Sequence, residues 1–126
     1  IALEYEILRH IESDSPYLQY IDPSAAQKPK NGCDIFSRTL DGRTLLIEVK
    51  TSRGGLKSKF FITRTEVNRA KLAEKSGEEY LVYRVIYVND DIKREVIVLT
   101  LEEIQKQYLR TPESYSLKLR KGVALC

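Results

Sequence analysis

A glutamate and a lysine near the middle of the chain are separated by one residue within an apolar, β-branched stretch. Successive side chains of a strand point to opposite faces, so Glu48 and Lys50 are predicted to share one face. A second carboxylate, Asp34, precedes a shorter apolar stretch upstream. Two carboxylates and an ammonium on one patch form a set that can bind a hard divalent cation and a phosphate.

The position of Asp34 depends on the turn between the two stretches. If Leu40-Asp41-Gly42 forms a three-residue loop with Gly42 in a left-handed conformation, Asp34 lies opposite Glu48. A two-residue loop would instead place Ile35 opposite Glu48. Because a slip of one residue moves every side chain to the other face, the pattern favours the three-residue loop.

Carboxylates on directly opposite residues have Cβ atoms about 4.5–5.5 Å apart, and they repel unless a proton or a cation lies between them. We therefore expect Asp34 and Glu48 to bind Mg²⁺ or Mn²⁺, with Lys50 stabilising charge on a phosphate. The alternative is a surface cluster of charges that contributes little. The residues alone leave both interpretations open.

The segment from residue 50 to residue 75 is basic, although the net charge of the whole chain is only +3. Such a segment is typical of a phosphate-facing surface, but a solvated loop and helix face would have the same composition. We expect contacts with the DNA backbone from four of these residues: Arg53, Lys57, Lys59 and Arg64.

Three sequence blocks resemble the PD-(D/E)XK nuclease superfamily and, more narrowly, the C-terminal domain family of NO VEIN, which also occurs in bacterial restriction and defence proteins. The first joins Gly32-Cys33-Asp34-Ile35 to residues 47–51, and the others are residues 60–67 and 80–85. The resemblance covers residues 1–88. Cys33 stands where the superfamily motif has proline.

The resemblance implies that Asp34 and Glu48 are metal ligands, that the carbonyl of Val49 is a further ligand, and that Lys50 is the catalytic lysine. The superfamily often adds a glutamate from its first helix, for which Glu4 and Glu6 are candidates. We favour Glu4, because it borders the predicted apolar stripe of that helix, whereas the other glutamate is predicted to face solvent.

The hydrophobic periodicity predicts an α/β fold with a mixed sheet flanked by helices. The resemblance implies a restriction-endonuclease-like sheet with the core order αβββαβ. Thr63 and Glu66 have capping-box spacing at the start of the middle helix. The predicted helices are residues 1–12, 63–75 and 101–109, and the predicted strands are residues 17–21, 33–39, 43–50, 60–62, 80–88, 95–99 and 116–119.

Three further residue types bear on function. His10, the only histidine, is expected on the polar side of the first helix. Arg84 lies within the most apolar strand, where it could pair with a buried carboxylate or reach a phosphate, and we favour the structural pairing. The two cysteines, Cys33 and Cys126, are isolated, which argues against a structural zinc site and favours a reducing, cytoplasmic setting.

The length of 126 residues predicts one nuclease-like domain, residues 1–126. The chain starts with isoleucine and has no methionine, so we expect a fragment of a larger protein. No apolar stretch approaches the ~20 residues of a membrane span, so no membrane is expected as a partner.

These features predict an endonuclease domain that hydrolyses DNA within a restriction, defence or repair protein. Further domains or subunits would supply targeting, and two-strand cutting would suggest a homodimer. The alternative is a nuclease-like module that binds DNA, or acts as a scaffold, without cutting. A weaker third hypothesis is a protein-interaction domain with an acidic partner.

Overall fold

The structure, a computed structural model, describes residues 1–24, 33–110 and 116–119. Its main sheet has four strands: β1 (Ile35–Arg38), β2 (Thr44–Thr51), β4 (Glu79–Ile86) and β5 (Glu95–Thr100). They lie side by side in the order β1-β2-β4-β5. The first pair and the last pair are antiparallel, and β2 and β4 are parallel. The predicted α/β fold with a mixed sheet and flanking helices is confirmed.

Helix α2 (Arg64–Lys75) makes the crossover that the parallel pairing of β2 and β4 requires. Its predicted capping box is present: the Thr63 side chain accepts from the Glu66 N–H, and the Glu66 side chain accepts from the Thr63 N–H. Gly77, just beyond the helix, has a φ of +76°, which ends the helix as predicted.

The β1–β2 hairpin has the predicted register, with Ile35 opposite Ile47 and Phe36 opposite Leu46. Thr39 donates its N–H to the Arg43 carbonyl at 2.8 Å, which closes a three-residue loop. Gly42 in that loop has a φ of +92°, a conformation that residues with a Cβ atom rarely adopt. The preference for the three-residue loop is confirmed.

Both faces of the main sheet are buried. We call them the α2 face and the α1 face, after α2 and the first helix, α1 (Ala2–Glu12). The buried core of the α2 face consists of Cys33, Leu46, Phe60, Ile62, Ala70, Ala73, Tyr80, Val82, Leu99 and Ile104. The buried core of the α1 face consists of Ala2, Ile35, Leu45, Ile47, Tyr83 and Val85.

The predicted orientation of α1 is wrong. Glu6 and His10 are fully buried, whereas Leu8 and Ile11 are 51% and 56% exposed. The Glu6 carboxylate accepts hydrogen bonds from Arg9, Ser37 and Tyr83, and His10 Nδ1 lies 2.8 Å from Ser15 Oγ. Burial opposes ionisation of Glu6, but these hydrogen bonds outweigh it and lower the pKa of Glu6. A satisfied polar network therefore replaces the expected apolar stripe.

The predicted strand at residues 17–21 is also wrong, because Leu18–Tyr20 forms a short 3-10 helix. The Tyr20 N–H donates to the Tyr17 carbonyl at 3.0 Å, so this backbone hydrogen bond forms within the segment instead of with a neighbouring strand. Directly after this segment, Asp22 forms an isolated bridge with Phe36 of β1.

A second, smaller sheet has three strands in the order β3-β7-β6. Its strands are β3 (Phe60–Phe61), β6 (Tyr108–Arg110) and β7 (Ser116–Leu119). The third helix, α3 (Leu101–Gln107), ends before residue 109 because the chain continues as β6. Gly32 and Cys126 lie outside the described residues.

Within the described ranges, the helices are too short and too polar for any of them to cross a bilayer.

Replacing Gly42 with alanine should destabilise the protein by more than the same change at Gly77. Both positions have positive φ, which costs alanine about 1–2 kcal/mol. A Cβ atom at residue 42 would also lie 2.6 Å from the Tyr17 hydroxyl, whereas one at residue 77 meets nothing within 4 Å. Urea unfolding of both variants measures the difference, and an equal or smaller loss for Gly42→Ala would contradict the expectation.

Candidate active site

Glu48 and Lys50 lie on the α2 face at the end of β2, as the alternation of the strand predicted. Lys50 Nζ is 3.6 Å from Glu48 Oε1. Glu48 is only 9% exposed, because it follows the fully buried Leu46 on the same face. Its carboxyl group therefore sits at the boundary between the apolar core and the surface.

Asp34 is tied to the backbone on both sides of Glu48. The Asp34 N–H donates to the Ile47 carbonyl at 2.9 Å, and Asp34 Oδ2 accepts from the Val49 N–H at 2.7 Å. The β1–β2 ladder ends at the Ile35–Ile47 pair, and beyond it the backbone N–H and the carboxylate of Asp34 together continue the contact with β2. These two bonds hold Asp34 beside Glu48.

A fourth charged group, Glu66, joins the site from the first turn of α2. Both of its carboxylate oxygens lie 2.9 Å from Lys50 Nζ, and its side chain is hydrogen-bonded to Glu48. The sequence marked Glu66 only as a capping residue, through its spacing from Thr63. Its second role was not visible, because it depends on where the crossover helix begins above β2. We call Asp34, Glu48, Lys50 and Glu66 the charged cluster.

Burial, the hydrogen bond to Glu66 and the charge of Asp34 raise the pKa of Glu48 to about 9. Burial also opposes ionisation of Glu66, but hydrogen bonds from Glu48, Lys50 and the Thr63 backbone outweigh it and lower the pKa of Glu66. Of the two glutamates, Glu48 therefore holds the proton at neutral pH. This is the state expected when three carboxylates are crowded around a single ammonium group.

In the described part of the chain, no group of three or more acidic, histidine or cysteine side chains is arranged to hold a metal ion as it stands. The contacts of the cluster give the reason. Lys50 occupies both oxygens of Glu66, and the Val49 N–H occupies one oxygen of Asp34. An ion at this place would require the carboxylates to exchange partners.

The expectation that Glu4 joins this site is wrong. Its side chain is 84% exposed and lies 3.7 Å from the amino terminus. Helix α1 packs on the α1 face, where Glu6 binds Tyr83, whereas Glu48 points to the α2 face. Neither glutamate of the first helix is therefore placed with the charged cluster.

Arg84 has the structural role that we favoured, but main-chain carbonyls serve as its acceptors where a carboxylate was expected. It is fully buried and donates to the carbonyls of Gly55, Leu56 and Ser58. Its guanidinium also lies 4.7 Å from the centroid of the Phe60 ring. Arg84 thereby holds the loop of residues 52–59, which follows directly after the site strand.

The residues expected to contact DNA are all exposed and border the cluster along the chain. Arg53, Lys57 and Lys59 lie in the loop of residues 52–59, and Arg64 is the first residue of α2. We call these four residues the basic rim. Cys33, in contrast, is buried beneath the site, and burial raises the pKa of its thiol to about 11, so it is a poor nucleophile.

Replacing Glu48 with glutamine should stabilise the ion-free protein at alkaline pH. Between the ordinary value of 4.5 and about 9, the folded protein holds a proton on Glu48 that the unfolded chain has lost. The contribution of this carboxyl group to the free energy of unfolding is therefore fully present below the pKa of the unfolded chain, and it is lost as the pH rises towards 9. The neutral amide removes this loss, so Glu48→Gln should exceed the parent by on the order of 1 kcal/mol at pH 8.

Urea unfolding in EDTA at pH 5 and pH 8 measures this effect, with Glu4→Gln as the exposed control. The gain should be larger at pH 8 than at pH 5 and should be absent in the control. A variant that is less stable than the parent at both pH values would show that the buried carboxyl is ionised.

Comparison with known proteins places this geometry in a family. The model of the family described as "Protein NO VEIN, C-terminal" matches residues 1–99, which include every member of the charged cluster and the basic rim. No curated protein is similar enough to the chain to count as a relative. The match covers most of the chain and the whole main sheet except Thr100, and the chain therefore belongs to the NO VEIN C-terminal family.

Proposed function

We propose that this chain is a metal-dependent endonuclease domain of the PD-(D/E)XK type that hydrolyses phosphodiester bonds of DNA. The observation that carries the proposal is the charged cluster. Glu48 and Glu66 flank Lys50, Asp34 adds its charge beside Glu48, and one of the three acids retains its proton. Such crowding is unfavourable for folding alone and is typical of sites that bind a cation.

The donor set fits Mg²⁺ or Mn²⁺, which prefer carboxylate and carbonyl oxygens. Asp34 and Glu48 would hold the ion, together with the Val49 carbonyl, and Glu66 adds a carboxylate that the sequence had not suggested. With Glu48 protonated the cluster has one net negative charge, and with Glu48 ionised it has two, which a divalent ion would balance. The ion would polarise the phosphate and lower the pKa of a bound water.

Lys50 would contribute the positive charge that the transition state requires. Its ammonium is 18% exposed and is held by Glu66 on one side and Glu48 on the other, so its position is set before substrate arrives. A preorganised ammonium near a phosphate stabilises developing negative charge more than a mobile one, because the site does not have to reorganise.

The basic rim supports DNA as the substrate. Its four side chains are exposed, and three of them belong to one loop that Arg84 and backbone bonds hold in place. The Ser52 N–H donates to the Val85 carbonyl and the Tyr87 N–H donates to the Gly54 carbonyl, both at 2.9 Å. A fixed row of cations beside a phosphate-cleaving site would position the nucleic-acid backbone without reading its sequence.

We further propose that the domain works in the cytoplasm, within a larger restriction, defence or repair protein. Additional domains or subunits would bring it to its target, because the basic rim contacts backbone rather than bases. Cutting of both strands would require a second site, which a homodimer would provide.

Cleavage of a DNA duplex should require Mg²⁺ or Mn²⁺ and should be lost in Asp34→Ala, Glu48→Ala and Lys50→Ala. Each change removes a group that binds the ion or stabilises the phosphate, and losses of about 10²-fold or more are expected. The measurement is nicking of supercoiled DNA with and without EDTA. Lys75→Ala, at the opposite end of α2, is the matched control and should cleave like the parent.

Cleavage that survives Lys50→Ala would reject the proposed mechanism. DNA binding by the parent without metal-dependent cleavage would instead identify a non-catalytic DNA-binding or scaffold module. Absence of any nucleic-acid binding at low salt would favour the protein-interaction hypothesis.

Neutralising the basic rim should weaken DNA binding and reduce its dependence on salt. Each phosphate contact contributes roughly 0.9 to the slope of log K against log salt concentration for duplex DNA. The double variant Arg53→Gln/Lys57→Gln should therefore lower the slope by up to about 2. Fluorescence anisotropy at several salt concentrations measures it, and an unchanged slope would place the DNA elsewhere. Lys71→Gln/Lys75→Gln is the matched control.

A further inference from the structure

The hydroxyl of Tyr80 is a buried donor without a hydrogen-bond partner among the residues that the structure describes. Tyr80 is 7% exposed and belongs to the core of the α2 face. Buried tyrosine hydroxyls are normally hydrogen-bonded, because an unpaired polar group in the interior is unfavourable. This hydroxyl therefore needs a specific explanation.

Tyr80 lies on the same face of the sheet as the charged cluster. It pairs with Leu46 across the parallel β2–β4 ladder, and the next residue of β4 on that face, Val82, pairs with Glu48. Burial and the charges of Glu48, Glu66 and Asp34 raise the pKa of Tyr80. The register therefore places Tyr80 on the face of the charged cluster, and the negative charges of the cluster act on its hydroxyl.

Tyr83, on the same strand, provides a comparison, because its hydroxyl has a structural role. It is fully buried on the α1 face, and its hydroxyl donates to Glu6. Both tyrosines are buried, but Tyr83 has an acceptor, whereas Tyr80 has none in the part of the chain that the structure describes.

Two of the three carboxylates whose charge raises the pKa of Tyr80 already accept from other donors. Glu66 accepts from Lys50 and from the Thr63 backbone, and Asp34 accepts from Val49. A group that binds at the cluster could therefore supply the acceptor that Tyr80 lacks among the described residues. Hydrated divalent ions bring such oxygens, because Mg²⁺ usually keeps several of its waters when a protein binds it.

We propose that Tyr80 is a positioning residue of the metal site, whose hydroxyl donates a hydrogen bond to a water of the hydrated divalent ion held by the charged cluster. This inference rests on the proposed function, because it requires the cluster to bind the ion. Tyr80 does not touch the reacting atoms. It would orient a ligand of the ion, as the outer partners of metal sites commonly do.

The test is Mn²⁺ binding by isothermal titration calorimetry, together with thermal unfolding in EDTA, for Tyr80→Phe and the matched control Tyr83→Phe. Loss of the Tyr80 hydroxyl should weaken Mn²⁺ binding roughly tenfold. It should leave the melting temperature in EDTA unchanged or raised, since the ion-free protein loses no hydrogen bond. Tyr83→Phe should show the reverse, with a lower melting temperature and parental Mn²⁺ affinity.

Parental Mn²⁺ affinity in Tyr80→Phe, combined with loss of binding in Glu48→Gln, would overturn the inference and leave the proposed function standing. A lowered melting temperature of Tyr80→Phe in EDTA would also overturn it, because the hydroxyl would then have a partner in the ion-free protein. Failure of the parent itself to bind Mn²⁺ would overturn both the inference and the proposed function.

Discussion

The hairpin register determines whether the site exists, because a shift by one residue would move Glu48 and Lys50 to the opposite face of the sheet. Gly42 sets that register by adopting a positive φ in the three-residue loop. Asp34 then meets the backbone on either side of Glu48. The geometry of one tight turn thus controls the placement of two carboxylates and a lysine several residues away.

The two faces of the main sheet accommodate a buried carboxyl group in different ways. On the α1 face, Glu6 is fully buried, but donors from Arg9, Ser37 and Tyr83 surround it, so it remains ionised within a satisfied network. On the α2 face the cluster has a single lysine for three acids, and Glu48 retains a proton instead. The first arrangement stabilises the fold, whereas the second leaves negative charge that a bound cation can balance.

The crossover helix connects the fold to the chemistry. The parallel pairing of β2 and β4 requires a connection over the α2 face, and the capping box of that connection places Glu66 beside Lys50. Glu66 thereby both caps α2 and holds the lysine, so the helix start and the site depend on each other. Arg84 likewise connects the fold to the basic rim, because it holds the loop of the rim by donating hydrogen bonds to three main-chain carbonyls.

Local rules account for three features that were predicted correctly: the strand alternation that puts Glu48 and Lys50 on one face, the loop length at Gly42, and the capping box at Thr63. These depend on neighbouring residues, whose spacing is visible in the chain. The buried face of α1 could be identified only in the folded protein, because the polar network around Glu6 outweighs the apolar spacing of that helix. The same holds for Glu66 and Tyr80, whose roles arise from contacts between elements distant in sequence, and such contacts leave no periodic pattern.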